Sequence, residues 1–390
     1  MALLAGFDIV CFSNDWDGDP LSKMHLMRLA ARHNRVLWVS SVGNRAPRAT
    51  SRDLRRMGRK LQQAFGGLKE VEANIHVLSP LALPVYGHDW IRRVNGVALA
   101  GQVKRAMRQL GMSRPIVISF LPGAAPAVSH LDTLLRVYYC VDEFSAFDGA
   151  GAAIASLERE LIARSDLVIC SAERLVRAKK KQHPRVELVR HGVDVAHFSH
   201  AVQPGSSVSE LVADLPRPVL GFVGLMAEWV DQELLGALAD HYPHGTVVIV
   251  GREDCDTTAL RLRRNVLFVG RRPYTELPSI MKGFDVALVP FRDNELTLAA
   301  NPLKAREYLA AGLPVVSTPI PEVERLGACR IARGPEGFIA AIDAVLAEGA
   351  GPSAARSATM ATESWESRWD EVAALLAERL GLARGERRSA

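Results

Sequence analysis

The chain has 390 residues, of which 48% are hydrophobic and 23% charged, with a formal net charge of +5. Domains hold roughly 100–200 residues, so this length predicts two domains, and the apolar fraction excludes a disordered chain. An aromatic content of 6% argues against a surface that stacks nucleic-acid bases. Residues 1–200 hold 28 Lys and Arg against 18 Asp and Glu, whereas residues 201–390 hold 20 against 25. This asymmetry favours two domains with different partners; an unevenly charged surface is the alternative.

Short apolar runs alternate with helical patterns along the whole chain. In the first half the predicted strands are 7–13, 35–41, 75–78, 116–119, 137–140, 167–170 and 186–188. Helical patterns in the same half include 21–33, 98–110 and 152–164. In the second half the predicted strands are 219–223, 246–250, 266–269, 286–289 and 315–317. Continuously apolar strands separated by helices are typical of parallel sheets covered on both faces, so we predict an α/β fold with two Rossmann-like domains.

Two breaks in composition divide the chain. The stretch 203–218 is rich in Pro, Gly and Ser, and a second break lies at 348–352. We therefore predict an amino-terminal domain over 1–203 and a carboxy-terminal domain over 215–352. Ligands of open parallel sheets bind beyond the carboxyl ends of the strands, so we expect the site in the cleft between the two domains.

A last amphipathic helix is predicted at 364–380. Trp365, Trp369, Val372 and Leu376 recur there at the spacing of one helix face. A helix with such a stripe needs an apolar surface on which to pack.

Several common chemistries have no motif in this sequence. No GxGxxG follows a strand, and no GxxxxGK[ST], HExxH, GxSxG or Cys/His cluster occurs. We therefore predict neither a cofactor nor a metal site. The five cysteines are dispersed, which favours a reducing compartment. Residues 1–10 lack the pattern of a signal peptide, and no run reaches the roughly 18 apolar residues of a membrane span, so we expect a cytoplasmic protein.

The most informative segment is 286–322, VALVPFRDNELTLAANPLKAREYLAAGLPVVSTPIPE. It predicts a strand, a loop, a helix and a second strand. Asn301 is the expected N-cap and Pro302 the first helical residue. Gly312 is the expected helix end, with Pro314 blocking continuation.

Two charged residues lie in the first turns of this predicted helix. Lys304 is a cation where the helix dipole disfavours one, which makes sense if the helix start binds a pyrophosphate. Glu307 lies three residues later on the same face and is placed to accept hydrogen bonds from ribose hydroxyls. The alternative for Glu307 is a solvated helix carboxylate.

The wording NPLKxxEYLAAGxPVVSTPxxE resembles the nucleotide-sugar half-site of GT-B glycosyltransferases. Within these enzymes it resembles a bacterial polysaccharide subgroup, similar to teichuronic-acid-type and xanthan glucuronosyltransferase-type enzymes. Further resemblance lies, in chain order, at YYCVDEFSAF (138–147), RHGVDVAHF (190–198), GFVGLMAEWVD (221–231) and GRRPYTEL (270–277). Together these stretches cover roughly residues 138–322.

The resemblance implies a function and an organisation. The function is transfer of a sugar from a nucleotide-diphosphate sugar, expected to be UDP-linked, to a glycan or lipid-linked glycan acceptor. The carboxy-terminal domain would bind the donor and the amino-terminal domain the acceptor, with 353–382 crossing back to the first domain. A sugar-nucleotide epimerase of the same fold and a non-catalytic partner in polysaccharide assembly are the alternatives. The expected donor-binding residues are Gly224, Arg271, Tyr274, Asn301, Lys304 and Glu307.

The chain departs from the family pattern in its catalytic residues. Retaining enzymes of the commonest type carry two acidic residues eight positions apart, and Ala299 stands where the first is expected. The basic pair often found after the first donor-domain strand is missing from 225–231. Stereochemistry therefore stays open. An inverting route needs a general base, for which Asp142 is the candidate by resemblance, since it follows a strand end.

Other carboxylates compete with Asp142 or have roles beside it. Glu143 is its neighbour, and the loop after the first strand holds Asp15, Asp17 and Asp19. A helix-capping or acceptor-binding role is the alternative for Asp142 itself. In the same loop Trp16 could stack on a sugar ring, and we predict Asp15, Trp16 and Asp17 as acceptor-binding residues, with a surface turn as the alternative. Glu228 and Asp231 are possible donor-sugar contacts.

A strongly basic segment lies at 45–69. It holds eight basic residues and one acidic residue, and Leu54, Met57, Leu61 and Phe65 recur at helical spacing. A basic amphipathic helix favours binding to an anionic membrane surface, so we expect a peripheral protein on the inner face of the cell membrane. A helix packed on its own domain is the alternative. No nucleic-acid recognition module is visible.

Overall fold

The structure is a computed structural model that describes residues 3–40, 67–81, 89–146 and 151–382. The chain divides into two compact units, Met1–Arg190 with Arg368–Ala390, and His191–Ser367. The first division therefore falls before the predicted linker at 203–218, and the second falls after the predicted break at 348–352. The reason is that the segment after Arg190 belongs to the second core, where Val193 and Phe198 are buried.

The first unit is built on a sheet of eight strands in the order β3-β4-β2-β1-β5-β6-β7-β8 among the described residues. The pairs are parallel except β3 with β4. The strands are β1 Asp8–Ser13, β2 Arg35–Ser40, β3 Leu68–Glu72, β4 Ile75–Leu78, β5 Ile116–Ser119, β6 Leu135–Cys140, β7 Leu167–Cys170 and β8 Val186–Leu188. All seven predicted strands of this half are confirmed, and most of them are apolar runs buried along nearly their whole length.

Strand β3 was not predicted. It places Leu68 and Lys69 in an antiparallel edge strand, where the sequence pattern predicted the end of a helix over 45–69. Its LKEVE sequence is mostly exposed, as edge strands with charged residues are, so it lacks the apolar run that identified the others. The rest of the basic segment, including its apolar stripe up to Phe65, lies outside the described residues.

Before Arg190, the described residues of the first unit form five α-helices. They are α1 Ser22–Ala31, α2 Asp89–Gln109, α3 Ala125–Val128, α4 Gly151–Arg164 and α5 Glu173–Lys179. Helix α2 begins well before the predicted residue 98. Its first turns carry exposed apolar side chains, which do not follow the pattern of a buried face.

The second unit is built on a parallel sheet in the order β11-β10-β9-β12-β13-β14. Its strands are β9 Val219–Val223, β10 Thr246–Val250, β11 Val266–Gly270, β12 Val286–Val289, β13 Val315–Ser317 and β14 Arg330–Ile331. Five of them confirm the prediction. The two-residue, exposed β14 is too short and too polar to be recognised from sequence.

Ten further helices follow along the chain. They are α6 Val195–Phe198, α7 Gln232–His241, α8 Thr258–Arg261, α9 Leu277–Met281, α10 Glu295–Ala299, α11 Leu303–Ala310, α12 Pro321–Glu324, α13 Gly334–Gly349, α14 Ala354–Ala358 and α15 Trp365–Arg379. Helix α15 starts in the second unit, and from Arg368 onward it belongs to the first. Its predicted apolar face is confirmed, since all four stripe residues are buried. Within the described ranges, no helix combines the length and apolarity needed to cross a bilayer.

The middle of β9 depends on a residue without a side chain. A Cβ at Gly221 would lie 2.0 Å from the ring of Phe284, which is fully buried in the core of the second unit. Packed cores yield little to added volume, so this ring fixes glycine at position 221.

We expect Gly221→Ala to lower the free energy of unfolding by about 1–3 kcal/mol, because the methyl group overpacks the core. Chemical denaturation followed by circular dichroism measures this. Gly101→Ala on α2 is the matched control, since its added Cβ meets nothing within 4 Å and helix propensity predicts a gain of about 1 kcal/mol. Equal stability of Gly221→Ala and the wild type would contradict the packing argument.

Candidate functional site

Helix α11 starts one residue later than predicted. Pro302 is its N-cap residue, with extended backbone, and no side chain caps the first turn by a hydrogen bond. The expectation that Asn301 caps the helix is wrong: its side-chain oxygen accepts a hydrogen bond of 2.6 Å from Arg306 Nη1, and both residues are buried. Backbone N–H groups at a helix start that no side chain caps are suited to an anion.

The end of α11 is as predicted. Gly312 has a φ of +79°, the left-handed conformation that favours glycine. The amide of Gly312 donates to the carbonyl of Leu309, and the amide of Leu313 donates to Tyr308. These two bonds form a Schellman motif, so the EYLAAG sequence sets the helix length.

Lys304 lies in the first turn of α11 against aromatic rings. Its Nζ is 4.7 Å from the ring centroid of Phe291 and 5.3 Å from that of Phe222. Burial lowers the pKa of Lys304 to about 8, and the charge of Glu307 one turn later opposes that decrease. The ammonium group is therefore held in a low-dielectric place where a bound anion would stabilise its charged form.

Gly224 brings backbone close to this lysine. It follows β9 with a φ of +153°, and a Cβ there would lie 2.9 Å from Cε of Lys304. A Cβ on Gly251, after β10, would lie 1.8 Å from the carbonyl oxygen of Gly224. Gly251 is thus fixed by the close approach of the Gly224 backbone, whereas Gly224 is favoured by its positive φ and contacts only side chains. The role of Gly224 toward a ligand stays a prediction.

Tyr308 ties the end of β9 to α11, a connection that sequence reasoning missed. Its buried hydroxyl accepts a hydrogen bond of 2.7 Å from the amide of Val223 and lies 3.3 Å from the carbonyl of the same residue. The Gly224 turn is therefore held in a fixed position relative to Lys304 and Glu307. The sequence offered one indication of this connection. Tyr308 occupies a position of the motif that is expected to be buried, and a buried tyrosine needs a hydrogen-bond partner for its hydroxyl.

The loop after β11 gives its two predicted residues different surroundings. Arg271 is exposed, whereas Tyr274 is half-buried and stacks on His197 at 4.2 Å between ring centroids. The Tyr274 carbonyl also lies 2.9 Å from His197 Nε2, and burial lowers the pKa of His197. One face of the Tyr274 ring is therefore covered by the 190–198 segment, which the sequence assigned to the first domain.

The turn before α7 places the two possible donor-sugar contacts. Oδ1 of Asp231 accepts a hydrogen bond of 3.0 Å from the amide of Leu234, so this carboxylate is a helix cap. Glu228 is exposed. The cap accounts for Asp231 without any ligand.

In the first unit, Asp142 follows β6 and lies near a lysine that sequence reasoning missed. Burial raises the pKa of Asp142, and the charge of Lys23 opposes that increase. Lys23 is itself buried at the start of α1, and its pKa is lowered by burial. A carboxylate whose pKa is raised is a stronger base than an exposed one, and a position at the carboxyl end of a strand suits a general base.

Glu143, the neighbouring competitor, is held in a buried network. Nζ of Lys179 lies 3.2 Å from Glu143 and 2.9 Å from Glu158, and Ser145 Oγ donates to Glu143 at 2.6 Å. The hydroxyl of Tyr138 donates to Glu158 at 2.7 Å. The Glu143 carboxylate therefore accepts hydrogen bonds from two donors, which favours Asp142 as the candidate general base.

The loop after β1 forms one side of a small cavity. Asp15, Trp16 and Asp17 line about 90 Å³ together with residues of β2, β3 and β4. Trp16 meets Trp38 edge-on at 4.9 Å, and Arg28 Cζ lies 5.5 Å from the Trp16 ring centroid. Asp19 is exposed. The three predicted acceptor-binding residues thus lie together, and their role stays a prediction.

Comparisons with known proteins identify the class. The whole chain has the fold of GT-B glycosyltransferases. A sucrose-phosphate synthase from Thermosynechococcus elongatus matches 97% of this chain and 100% of its own, with a TM-score of 0.70 and 15% identity. An E. coli trehalose-6-phosphate structure bound with UDP-2-fluoro glucose matches 96% and 99%, with a TM-score of 0.65 and 14% identity. Anabaena HepE in complex with UDP-glucose matches 96% and 97%, with a TM-score of 0.61 and 15% identity.

A family model matches part of the second half of the chain. Residues 217–348 match the glycosyl transferases group 1 family, which confirms the resemblance of this stretch. The putative teichuronic acid biosynthesis glycosyltransferase TuaH of Bacillus subtilis (strain 168) is 30% identical over 209 residues, 50% of this chain and 52% of its own. The match thus spans about half the length of this curated relative. Within the described ranges, no three His, Cys, Asp or Glu side chains gather where they could hold a metal ion.

We expect Lys179→Met to lower the free energy of unfolding by about 3–5 kcal/mol, because Glu158 is left buried without its cation. Urea denaturation measures the change. Adding Glu158→Gln should recover part of the loss. Arg177→Met is the control, since its ion pair with Glu173 is exposed and a change within about 0.5 kcal/mol is expected. Equal losses of unfolding free energy in Lys179→Met and Arg177→Met would show that the buried network stabilises the protein no more than an exposed ion pair does.

Proposed function

We propose that the protein is a glycosyltransferase that moves a sugar from a nucleotide-diphosphate sugar to a glycan acceptor. The observation that carries the proposal is Lys304, half-buried in the first turn of α11 beside the Gly224 turn, with Glu307 one turn later. The family match over 217–348 supports it. The bound UDP-2-fluoro glucose and UDP-glucose of two proteins with the same fold favour a UDP-linked donor.

The donor side needs groups that stabilise charge on a departing diphosphate. Lys304 and the backbone N–H groups of the first turn of α11 supply positive charge and hydrogen bonds at that point. Glu307 would accept hydrogen bonds from the ribose hydroxyls, and Gly224 would allow the donor close to the backbone. This electrostatic assistance comes from the chain itself, and we propose that the transfer requires no metal ion.

Three other predicted donor residues take narrower roles in this proposal. Asn301 acts through Arg306, whose Nε donates to Glu363 at 3.0 Å, so it positions α11 and does not touch the donor. Arg271 and Tyr274 would lie beside the nucleotide from the loop after β11. The ring face of Tyr274 that stacks on His197 is excluded from that contact.

The acceptor side uses the first unit. Asp142 would take the proton from the attacking hydroxyl of the acceptor, giving an inverting transfer. The nearby charge of Lys23 keeps the pKa of Asp142 from rising further. Asp15, Trp16 and Asp17 would bind the acceptor glycan through their shared cavity.

For the donor sugar and the acceptor we propose only a chemical class. A hexose or glucuronic acid on UDP, and a growing or lipid-linked glycan, suit the resemblance of the motif and the name of the teichuronic acid relative. The excess of basic residues in 1–200 suits a pyrophosphate-linked lipid acceptor on an anionic membrane. We therefore propose a place on the cytoplasmic face of the membrane, in polysaccharide synthesis.

We expect Lys304→Met to weaken UDP binding about ten- to a hundredfold, because a charge-assisted contact is lost. In the wild type, UDP affinity should fall as the pH rises through about 8, since the lysine of the free protein loses its proton there. In Lys304→Arg the charge persists, so this pH dependence should flatten. Isothermal titration calorimetry at several pH values measures both effects.

Lys282→Met is the control for the lysine variants. Lys282 also belongs to the second unit, but its Nζ bonds to Ser206, and it takes no part in the proposed site. UDP affinity should be unchanged. Wild-type affinity in Lys304→Met would show that the donor site is wrongly placed.

We expect Asp142→Asn to reduce kcat by about a hundredfold to ten-thousandfold with UDP affinity unchanged, because the general base is lost. Transfer to a membrane-extracted acceptor, with nuclear magnetic resonance of the product anomer, measures rate and stereochemistry. Glu143→Gln, whose carboxylate is held by Lys179, should keep most of the turnover at a temperature where it stays folded. Unchanged turnover in Asp142→Asn, or a retained anomer, would remove Asp142 as the base. Conversion of donor without any acceptor would indicate an epimerase.

A further inference from the structure

Helix α2 presents an exposed apolar stripe. Trp90, Val94 and Val97 have 67%, 54% and 58% of their surface exposed. Their spacing of four and three residues places them on one face of the helix. Side chains of this size are usually exposed singly, so three on one face mark a surface with a partner.

The same face changes from apolar to cationic along the helix. Gly101 continues the stripe, and after it Lys104, Arg105 and Arg108 are exposed on that side. Arg93 flanks the apolar half and is exposed as well. The face therefore combines apolar side chains in its first half with three cations in its second.

Packing fixes the orientation of this face. The opposite side of α2 is buried through Leu99, Val103 and Met107. A Cβ at Gly96 would lie 2.6 Å from the Pro126 side chain, so the helix backbone is pressed against α3. Rolling the helix to bury the stripe would expose these core residues, so the stripe stays on the surface.

A further apolar residue is held beside the stripe. Leu81 is 46% exposed. Its backbone amide donates a hydrogen bond of 2.9 Å to Gln102 Oε1 on α2, which holds this residue near the helix. Gln102 Nε2 in turn donates to the Leu81 carbonyl at 2.8 Å. This paired bond to α2 keeps a fourth exposed apolar side chain next to the helix.

We propose that this face of α2, with Leu81, docks on an anionic lipid surface. The apolar half would enter the boundary between headgroups and acyl chains, and Lys104, Arg105 and Arg108 would contact lipid phosphates. Charge complementarity favours an anionic lipid surface, since the cations follow the apolar stripe along one helix face and an exposed tryptophan beside cations suits a headgroup layer. The inference rests on the membrane partner proposed above, and it assigns that contact to described residues.

The test is co-sedimentation of the full chain with vesicles of phosphatidylglycerol and phosphatidylcholine. Removing the cations in Lys104→Ser/Arg105→Ser/Arg108→Ser should weaken binding about fivefold per charge, about a hundredfold in all. Removing the stripe in Trp90→Ser/Val94→Ser/Val97→Ser should weaken binding about tenfold or more. Pure phosphatidylcholine vesicles should bind the wild type weakly, because the anionic charge is missing.

Controls come from exposed residues of the second unit. Leu262→Ser removes a side chain that is 80% exposed, and Arg264→Ser/Arg325→Ser/Arg333→Ser removes three exposed cations. Both should bind vesicles like the wild type. UDP affinity and circular dichroism, measured without vesicles, report whether each variant is folded and whether the donor proposal holds independently.

Three results would overturn the lipid proposal. Vesicle binding that both α2 variants retain would place the contact elsewhere. Equal binding to neutral and anionic vesicles would remove the role of the cations. A wild-type dimer that the stripe variant dissociates, with no vesicle binding, would assign the face to a second copy of the chain.

Discussion

The contact between the end of β9 and helix α11 is the constraint on which the donor side of the molecule depends. The Tyr308 hydroxyl holds both backbone groups of Val223, and the next residue, Gly224, has no room for a Cβ beside Lys304. The Tyr308 hydrogen bonds therefore fix the end of β9 against α11, the helix that carries Lys304 and Glu307.

Lysines in three different surroundings show how neighbouring groups determine the pKa of a cation and its capacity to bind an anion. Lys179 faces two carboxylates, and their charges raise its pKa, so it stays charged as a structural ion. Lys304 faces two aromatic rings and the charge of Glu307, and burial lowers its pKa to about 8. Lys23, near Asp142, also has a lowered pKa. The lysine with its charge already compensated is the poorest candidate for binding an anion, and the other two retain that capacity.

The sequence predicted the parts of the fold that depend on local pattern. Buried parallel strands are continuous apolar runs, so their positions could be predicted to within a residue or two, and Gly312 identified the end of α11. The exposed edge strand β3 carries no such run and was missed. Asn301 does not cap the helix because its side-chain oxygen accepts a hydrogen bond from Arg306. Arg306 is itself bonded to Glu363, which lies 57 residues beyond Arg306 in the chain. Long-range partners of this kind leave no trace in a local motif.

The candidate site divides in the same way. The motif predicted Lys304 and Glu307 from the electrostatics of a helix start, which is a local property. Resemblance named Asp142 as the candidate base and left Glu143 as its competitor, but it could not show that Glu143 bonds to Lys179, 36 residues further along the chain. Nor could it show that His197 covers a face of Tyr274, 77 residues along the chain.

The two proposed sites suggest a physical explanation for the uneven distribution of charge along the chain. An anionic nucleotide bound by the more acidic half must rely on a nearby cation and aligned N–H groups, since the overall field of that half opposes it. Lys304 is half-buried, so dissolved salt would screen its charge less than that of an exposed residue. The cations on α2 are exposed, and their attraction to a charged surface decays within a Debye length of about 8 Å at physiological ionic strength. In the function proposed above, net charge thus governs approach to a surface, whereas binding of the donor depends on where Lys304 is held.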